Sequence, residues 1–564
     1  MPDIFAPVAE TQIGYHRRRL EELKQIRQPW EAEWRELGEF IEPTRIRLHA
    51  RQERPSSRRK IIDSTGTFAY NTLKNGMHSG LTSPARPWFK LSLADSDLKK
   101  FGPVKEYLAK VETEMRRVFR QSNVYNAFHQ GYGDLGQFGQ SCGLLVEDEE
   151  KTVRMMQLVH GRFWLARDHK GRATTCYRTF RWSVQRIVER FGWKNVGTRI
   201  QSLYNSSKYG DLLDVWHAVE PRTTRDPSKI DKRNKPFLSN YWLDSQGGNV
   251  LLEQSGFDEN PIIAPAWELS DDDHYSLSPA MVALADIKML QKEQMTKLEG
   301  IDKQVRPPMT GPLSMKNNPS SLLPGSITYA DDPTGKGYRA AMEVNISLGE
   351  LRQDIQEVQK RAERAMYADL FFAITNMEGV QPRNQLELTQ RKEEQLLQLG
   401  PVLENVYGAQ LEPTIDRTFA VMHRRGELPP PPPELHGVNL EVEYTSMLAQ
   451  AQQAVSTGAI ERGVGFLGQL AAAKPDVLDN LDADETAGLY FDMIGAPPSV
   501  LRDPEDVKKD RAARAQAQQQ AAQAEMMSQV APAMNQGAQA VQVLADARNN
   551  ESGSGLLEQL GIGG

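Results

Sequence analysis

Two stretches of this 564-residue sequence have the spacing of catalytic loops. Gly131-Tyr-Gly133-Asp-Leu-Gly136 matches GxGxxG, which cradles phosphate when the glycines follow a strand and open a helix. Here a helical pattern from Met115 to Phe128 precedes them, so a dinucleotide site is rejected. Gly139-Gln-Ser141-Cys-Gly143 matches GxSxG, but a nucleophile elbow needs strand, sharp turn and then helix. This site reads in the reverse order, with a strand at 144–147 after the turn. The five glycines instead let backbones turn or approach closely. Asp271-Asp-Asp-His274 is the densest acid and histidine cluster; contiguous side chains do not converge on one ion without a special loop, so it reads as a solvated turn. There is no GxxxxGK[ST], HExxH or CxxC, so neither an ATP motor, a zinc protease nor a zinc ribbon is visible, and no cofactor or metal is expected. Cys142 and Cys176 could form one disulfide; two buried thiols in a reducing cytosol is the preferred reading.

The remaining chemistry is charge. Arg45, Arg47, Arg51, Arg54, Arg58, Arg59 and Lys60 face Glu53 alone over residues 45–60. Such a run is usually a solvated loop; contact with a phosphate backbone or an acidic neighbour is the alternative. The whole chain balances 68 basic against 74 acidic residues, a net charge of −6, which does not suit a protein gripping nucleic acid over its surface. With 39% apolar and 25% charged residues, and no run near the ~18–20 apolar residues of a membrane span, it reads as a soluble chain of several packed units with no membrane partner. The first residues lack the features of a signal peptide, so synthesis and assembly in a cytosol are expected.

Period-3.6 patterns predict helices over 10–42, 64–79, 103–138, 278–306, 348–374 and 385–425. Short β-type runs at 144–147, 153–159, 162–166, 173–182, 212–219, 237–243 and 262–267 predict a mostly antiparallel sheet, hence an α+β, helix-rich chain. Ser278 and Pro279 form an N-cap and N1 pair for a helix of roughly 40 Å. Leu351, Ile355, Val358, Ala362 and Ala365 step by four, three, four and three, a 3.5-residue seam. Between these two helices lies a segment rich in Pro, Gly, Asn and Ser, with strand candidates at 326–329 and 342–346. The five prolines at 429–433 read as a stiff spacer before a strand at 438–444, with a ligand for a proline-reading module as the alternative. Residues 447–495 read as a small helical unit and 505–547 as Ala/Gln-rich helix.

Four strings resemble the portal, or head-to-tail connector, proteins of short-tailed, podovirus-type bacteriophages. They are Ile61-Ile-Asp-Ser-Thr65 with Ser79-Gly-Leu-Thr-Ser-Pro-Ala-Arg-Pro-Trp-Phe89; Ala285-Asp-Ile-Lys288 with Arg306-Pro-Pro308; Leu399-Gly-Pro-Val-Leu403 leading to Leu428-Pro429; and Val442-Glu-Tyr-Thr-Ser446 with Leu448-Ala-Gln-Ala-Gln452. The resemblance implies a portal-type fold: wing (1–277), stem helices (278–306 and 348–374), clip (307–347), tunnel loop and long wing helix with return strand (375–445), crown (446–504), and a C-terminal helical barrel and tail (505–564). It implies a non-enzymatic ring of about twelve subunits at one capsid vertex. The seam would pack against adjacent subunits. Asn376, Met377, Glu378, Gly379, Val380 and Gln381 would line the DNA tunnel, and Met315, Lys316, Asn317 and Asn318 would form the clip docking surface. The implied partners are double-stranded DNA passing without sequence specificity, the large terminase subunit, tail adaptor proteins, major capsid and scaffold proteins, and internal ejection proteins. A tail adaptor or internal scaffold is the alternative, and the expected β content argues against a scaffold.

Overall fold

The computed structural model describes residues 12–48, 60–93, 98, 101–244, 249–270, 273–307, 309–310, 313, 339–340, 348–375, 399–435, 440–444, 463–471, 474, 481–493 and 507–522. The chain forms two compact units, Met1–Arg462 and Gly463–Gly564. In the second, helical stretches cover 463–471, Ala483–Met493 and 507–522, and Arg511 is ion-paired with Asp484.

The first unit opens with α1 (Gln12–Phe40), whose Leu20, Leu23, Trp34 and Leu37 are buried on one face. After α2 (Thr65–Leu81), β1 (Phe89–Leu93) leads to α3 (Gly102–Gln121) and α4 (Val124–Phe138). The single helix expected over 103–138 is thus two. The break comes from Asn123, whose amide Nδ2 donates to the Met155 carbonyl at 2.7 Å while its Oδ1 accepts from the Met155 amide at 2.9 Å. A side chain that completes a strand's hydrogen bonds draws its residue out of the helix.

The antiparallel sheets match the expected layout. β2 (Gly143–Asp148) lies between β3 (Thr152–Gln157) and β9 (Ile262–Ile263). A five-stranded sheet runs in sequence order: β4 (Phe163–Arg167), β5 (Ala173–Ser183), β6 (Leu212–Pro221), β7 (Phe237–Leu243) and β8 (Leu251–Phe257). The strand expected over 262–267 stops at Ile263, because Pro265 has no amide to donate. Periodicity alone does not show β1 or β8, whose places are set by pairing with Leu440–Tyr444 and with β7, nor the short helices α5 (Val184–Phe191) and α6 (Thr198–Asn205).

The two faces of this sheet differ. On one, α1 packs through Leu20 and Leu23 against Trp164, Tyr177, Ala218 and Trp242. Arg27 stacks on Trp164 at 4.3 Å and donates to the carbonyls of Gly161 and Phe163. On the other, Val184, Ile187 and Ile200 cover Val215 and Leu243. Cys142 and Cys176 are buried free thiols 3.8 Å apart.

Farther on, α7 (Pro279–Val305) and α8 (Leu348–Ala365) are the two long central helices. The helix expected over 348–374 breaks at Tyr367, whose φ of +54° is left-handed, and resumes as α9 (Ala368–Thr375). Between α7 and α8, Met309–Thr310 pairs with Arg339–Ala340; the strand candidates at 326–329 and 342–346 lie outside the described residues. The helix expected over 385–425 is described from its later part, as α10 (Gly400–Val406), a π turn (Tyr407–Leu411) and α11 (Glu412–Arg424). The wide turn absorbs Pro413, which lacks an amide. Finally, the last described strand of this unit (Leu440–Tyr444) pairs antiparallel with β1, in the register Phe89↔Tyr444 and Leu93↔Leu440.

A buried hydrogen-bond chain joins α1 to the sheet. Asn240 Nδ2 donates to His16 Nε2 at 2.9 Å, His16 Nδ1 lies 2.9 Å from the Tyr177 hydroxyl, and that hydroxyl donates to Glu220 at 3.2 Å. Burial pushes the Glu220 carboxyl up to about 7, from an ordinary 4.5. A raised carboxyl binds its proton more tightly folded than unfolded, so its contribution is full below 4.5 and lost as pH rises to about 7. Glu220→Gln keeps a neutral partner for Tyr177 and removes this titration. Its melting temperature should equal the parent's near pH 4.5 and exceed it above pH 7; parallel pH–Tm curves would refute the assignment.

Candidate functional site

With no catalytic constellation to build on, the site is the helix pair α7–α8 and the groups that aim it. Ser278 caps α7: its Oγ accepts from the Met281 amide and donates to the Gln137 carbonyl, each at 3.0 Å. Pro279 at N1 costs no hydrogen bond there. The inner face of α7, with Ala280, Ala283, Leu284, Ile287 and Leu290, meets Ile355, Val358 and Ala362 of α8 in one core, along with Trp34, Ala69 and Tyr70. Small residues at 280, 283 and 362 let the backbones approach closely.

Asp63 clamps this pair to α2. Its Oδ1 accepts from the Thr65 amide at 2.8 Å; its Oδ2 accepts from Gln294 of α7 at 3.0 Å and from Gln359 of α8 at 3.1 Å. Gln291 of α7 completes the clamp. Its Oε1 accepts from the amides of Ile62 and Asp63, and its Nε2 donates to the Asp63 carbonyl. Burial pushes the Asp63 carboxyl up, but the hydrogen bonds from Thr65, Gln294 and Gln359 outweigh it and hold it below 3.8. One turn on, a methyl group at Gly66 would sit 2.9 Å from Ile287 Cδ1 and 3.2 and 3.3 Å from two more of its carbons, so a larger residue there would push on the Ile287 side chain of α7.

At the far end of α8, Tyr367 rests against Trp267, with ring centroids 5.6 Å apart. Its left-handed backbone redirects the chain into α9, which seats Phe371 on Gly76 of α2, where any Cβ would overlap the ring. Leu370 and Phe371 join the large core that also holds Trp88, Phe89, Leu399, Val402 and Leu403. Trp88 is fixed by its indole donating to the Tyr125 hydroxyl at 3.2 Å.

The seam residues Leu351, Ile355, Val358, Ala362 and Ala365 all fall on the face of α8 turned to α7. Val358 is 1% exposed and Ala362 fully buried within the single chain. The expectation that this seam faces adjacent subunits is therefore corrected: α7 of the same chain fills it. The exposed apolar residues lie instead on α7, at Val282, Met289, Met295, Leu298 and Val305.

The basic run divides. Arg45 turns inward and forms a two-pronged ion pair with Asp134, which is 1% exposed and belongs to the glycine-rich α4. Burial opposes the Arg45 charge, but Asp134 outweighs it. Arg45 is thus committed to the interior and cannot serve as a surface contact. Arg47 donates to the carbonyls of Thr44 and Ile46, and Lys60 pairs with Glu39 at 2.8 Å. Arg51, Arg54, Arg58 and Arg59 lie outside the described residues, as do the tunnel-loop candidates Asn376, Met377, Glu378, Gly379, Val380 and Gln381 and the clip candidates Met315, Lys316, Asn317 and Asn318.

The glycine motifs carry packing. Cβ atoms at Gly133 and Gly136 would overlap Tyr70 and Leu73 of α2, and Gly139, at φ +81°, ends α4 beneath the carbonyls of Ser276 and Leu277. Ser141 is 3% exposed. Among the described residues, no three His, Cys, Asp or Glu side chains cluster to hold a metal, and no helix is long and apolar enough to cross a membrane.

A family model described as bacteriophage head to tail connecting protein matches residues 15–501. The portal protein of Salmonella phage epsilon15 is 40% identical over 528 residues, covering 93% of this chain and 95% of that protein. The probable portal protein of Bordetella phage BPP-1 is 40% identical over 513 residues, covering 90% and 92%. A solved neck of an empty gene transfer agent particle aligns at TM-score 0.34 and 13% identity over 77% of this chain and 91% of that one, too weak a likeness to argue from.

Asp63→Ala removes the acceptor shared by α2, α7 and α8. Hydrogen bonds to a charged group contribute about 1.5–3 kcal/mol, so the variant should lose roughly that at pH 7. Because the folded carboxyl lies below 3.8, this contribution is present above that value and fades as pH falls through it. Thermal melts at pH 7 and pH 3 should show the gap narrowing on acidification.

Proposed function

The chain belongs to the bacteriophage head to tail connecting family, and on that premise we propose that its copies form the portal of a phage capsid: a ring at one vertex through which the genome enters and leaves. The role is structural, and its place is the virion. What supports it most is the relation to two portal proteins along nine-tenths of the chain. The structure adds a physical argument. An isolated chain exposes Val282, Leu298 and Val305 of α7 at 72%, 57% and 71%. Apolar residues on one long helix are better covered by another copy than by water. Repeating one such contact by rotation closes a ring.

In this reading α7 and α8 are the stem, clamped at Asp63, and the α+β part is the wing. The clip spans 307–347; a tunnel loop with Asn376–Gln381 follows α9; crown and C-terminal barrel lie at 446–504 and 505–564. Duplex DNA slides through without sequence contacts, and a net charge of −6 per subunit suits a wall that repels phosphate. The further proposals are twelve subunits, assembly in the host cytoplasm, docking of the large terminase subunit and then tail adaptors at the clip, and contacts with major capsid, scaffold and internal ejection proteins.

Electron micrographs of the purified protein should show annular particles with a central channel; monomers and dimers alone at high concentration would count against a portal. Leu298→Glu with Val305→Glu should abolish rings while leaving the melting temperature of the subunit within a degree or two, since both side chains are already exposed. Separately, deleting residues 376–380 should leave rings intact but reduce the yield of packaged genomes; a normal yield would exclude the tunnel-loop role.

A further inference from the structure

A groove lies between one face of β5, β7 and β8 and the β2–β3 hairpin, away from α7 and α8. It has a volume of about 950 Å3, within the range of pockets that hold a ligand. Eight basic side chains line it, of which Arg181, Arg190 and Lys235 are ion-paired with Asp214, Glu253 and Asp258; Glu147 is the other carboxylate of the lining. Glu147 is already engaged by Arg424 at 2.8 Å and Glu253 by Arg190 at 3.1 Å, so neither neutralises the floor.

The floor is Arg178 of β5, 8% exposed. Every described partner of its guanidinium is neutral. Nε donates to His217 Nδ1 at 2.9 Å, the terminal nitrogens lie 3.7 and 3.8 Å from the Met156 sulfur, and one reaches the Tyr241 hydroxyl at 3.4 Å. Because Arg178 donates to Nδ1, the uncharged His217 ring carries its proton on Nε2, which lies 2.9 Å from the Ser239 hydroxyl. A thioether is a weak acceptor, and a cation this buried is costly without a counter-charge. Two more cations line the groove: Arg186 at the rim, over the Trp182 ring at 4.4 Å, and Lys232.

We propose that this groove is a docking site for an acidic polypeptide segment of a partner protein, whose carboxylates reach Arg178, Arg186 and Lys232 while its apolar side chains cover Val146, Met156 and Phe257.

Three features select a peptide over nucleic acid. Arg178 is recessed, so a carboxylate on a side-chain stem reaches it, whereas a duplex backbone would ride on the rim. Each aromatic ring of the groove already carries a partner on one face: Trp182 has Arg186, Phe180 has Arg178 at 5.1 Å, Tyr241 has His217 at 3.9 Å and Phe257 has Arg417 at 5.3 Å. A single strand stacks successive bases on open ring faces, and each face taken by one of these partners is lost to it. The lining also mixes apolar with basic groups, which suits alternating acidic and apolar side chains, and the guanidinium fork matches a carboxylate.

The test uses the full-length protein as purified, in its assembled form, and a fluorescein-labelled twelve-residue peptide alternating Glu or Asp with Leu or Phe. Binding is read by fluorescence anisotropy at physiological salt. Arg186→Glu with Lys232→Glu changes only exposed side chains and should weaken the peptide at least tenfold at an unchanged melting temperature. Arg178→Met should weaken it further, with the rim pair as the control should that variant misfold. No saturable peptide binding, or binding indifferent to the rim pair, overturns the proposal. So does a labelled single- or double-stranded oligonucleotide that binds more tightly than the peptide and is lost in the rim variant, which would make the groove a nucleic-acid site. Peptide binding by dissociated subunits but not by the assembled particle overturns it as well, because a neighbouring copy would then fill the groove.

Discussion

One carboxylate holds the architecture in register. Asp63 takes hydrogen bonds from the first turn of α2 and from a glutamine on each long helix, while Gln291 returns bonds to the backbone around it. A helix pair of this length can slide or roll on an apolar seam alone, because dispersion contacts are numerous but not directional. The polar clamp removes that freedom, since each of its groups is satisfied at only one relative position of the three helices. The Gly66–Ile287 and Gly76–Phe371 contacts do the same sterically, one near the clamp and one at the far end of α2.

From this clamp the rest of the first unit follows. α2 is the common surface: α7 and α8 rest on one side, the glycine-rich α4 on another, and α9 on its last turns. The Arg45–Asp134 pair fastens the segment after α1 to α4, and the buried chain from Asn240 to Glu220 fastens the start of α1 to the sheet. Each is a polar group made tolerable inside by complete partnering, so each specifies one geometry where an apolar contact would allow several.

The described parts of the four strings that resembled one protein family are neighbours. Asp63 and Gly66 touch the helix that carries Ala285–Lys288; Trp88 and Phe89 share a core with Leu399, Val402 and Leu403; and Phe89 pairs with Tyr444 across the sheet. Their spacing in sequence gave no hint of this, because hydrogen-bond partners more than two hundred residues apart leave no local pattern. The glycine motifs show the converse. Their lettering suggested phosphate and acyl chemistry, yet the order of elements around them was enough to reject both.

Periodicity and composition alone established the α+β class, the long helices with the Ser278–Pro279 start of α7, the antiparallel sheet and most of its strands, because those depend on local spacing of apolar side chains. They could not establish which partner filled the 3.5-residue seam, since a seam looks the same whether a neighbour in the chain or in a ring covers it. Nor could they locate the breaks at Asn123 and Tyr367, which are set by a strand and an aromatic ring distant in sequence. The inward turn of Arg45 and the recessed charge of Arg178 were equally hidden. Only tertiary structure decides whether a basic residue is solvated, paired or left facing a groove, because that depends on which carboxylates the fold brings within reach.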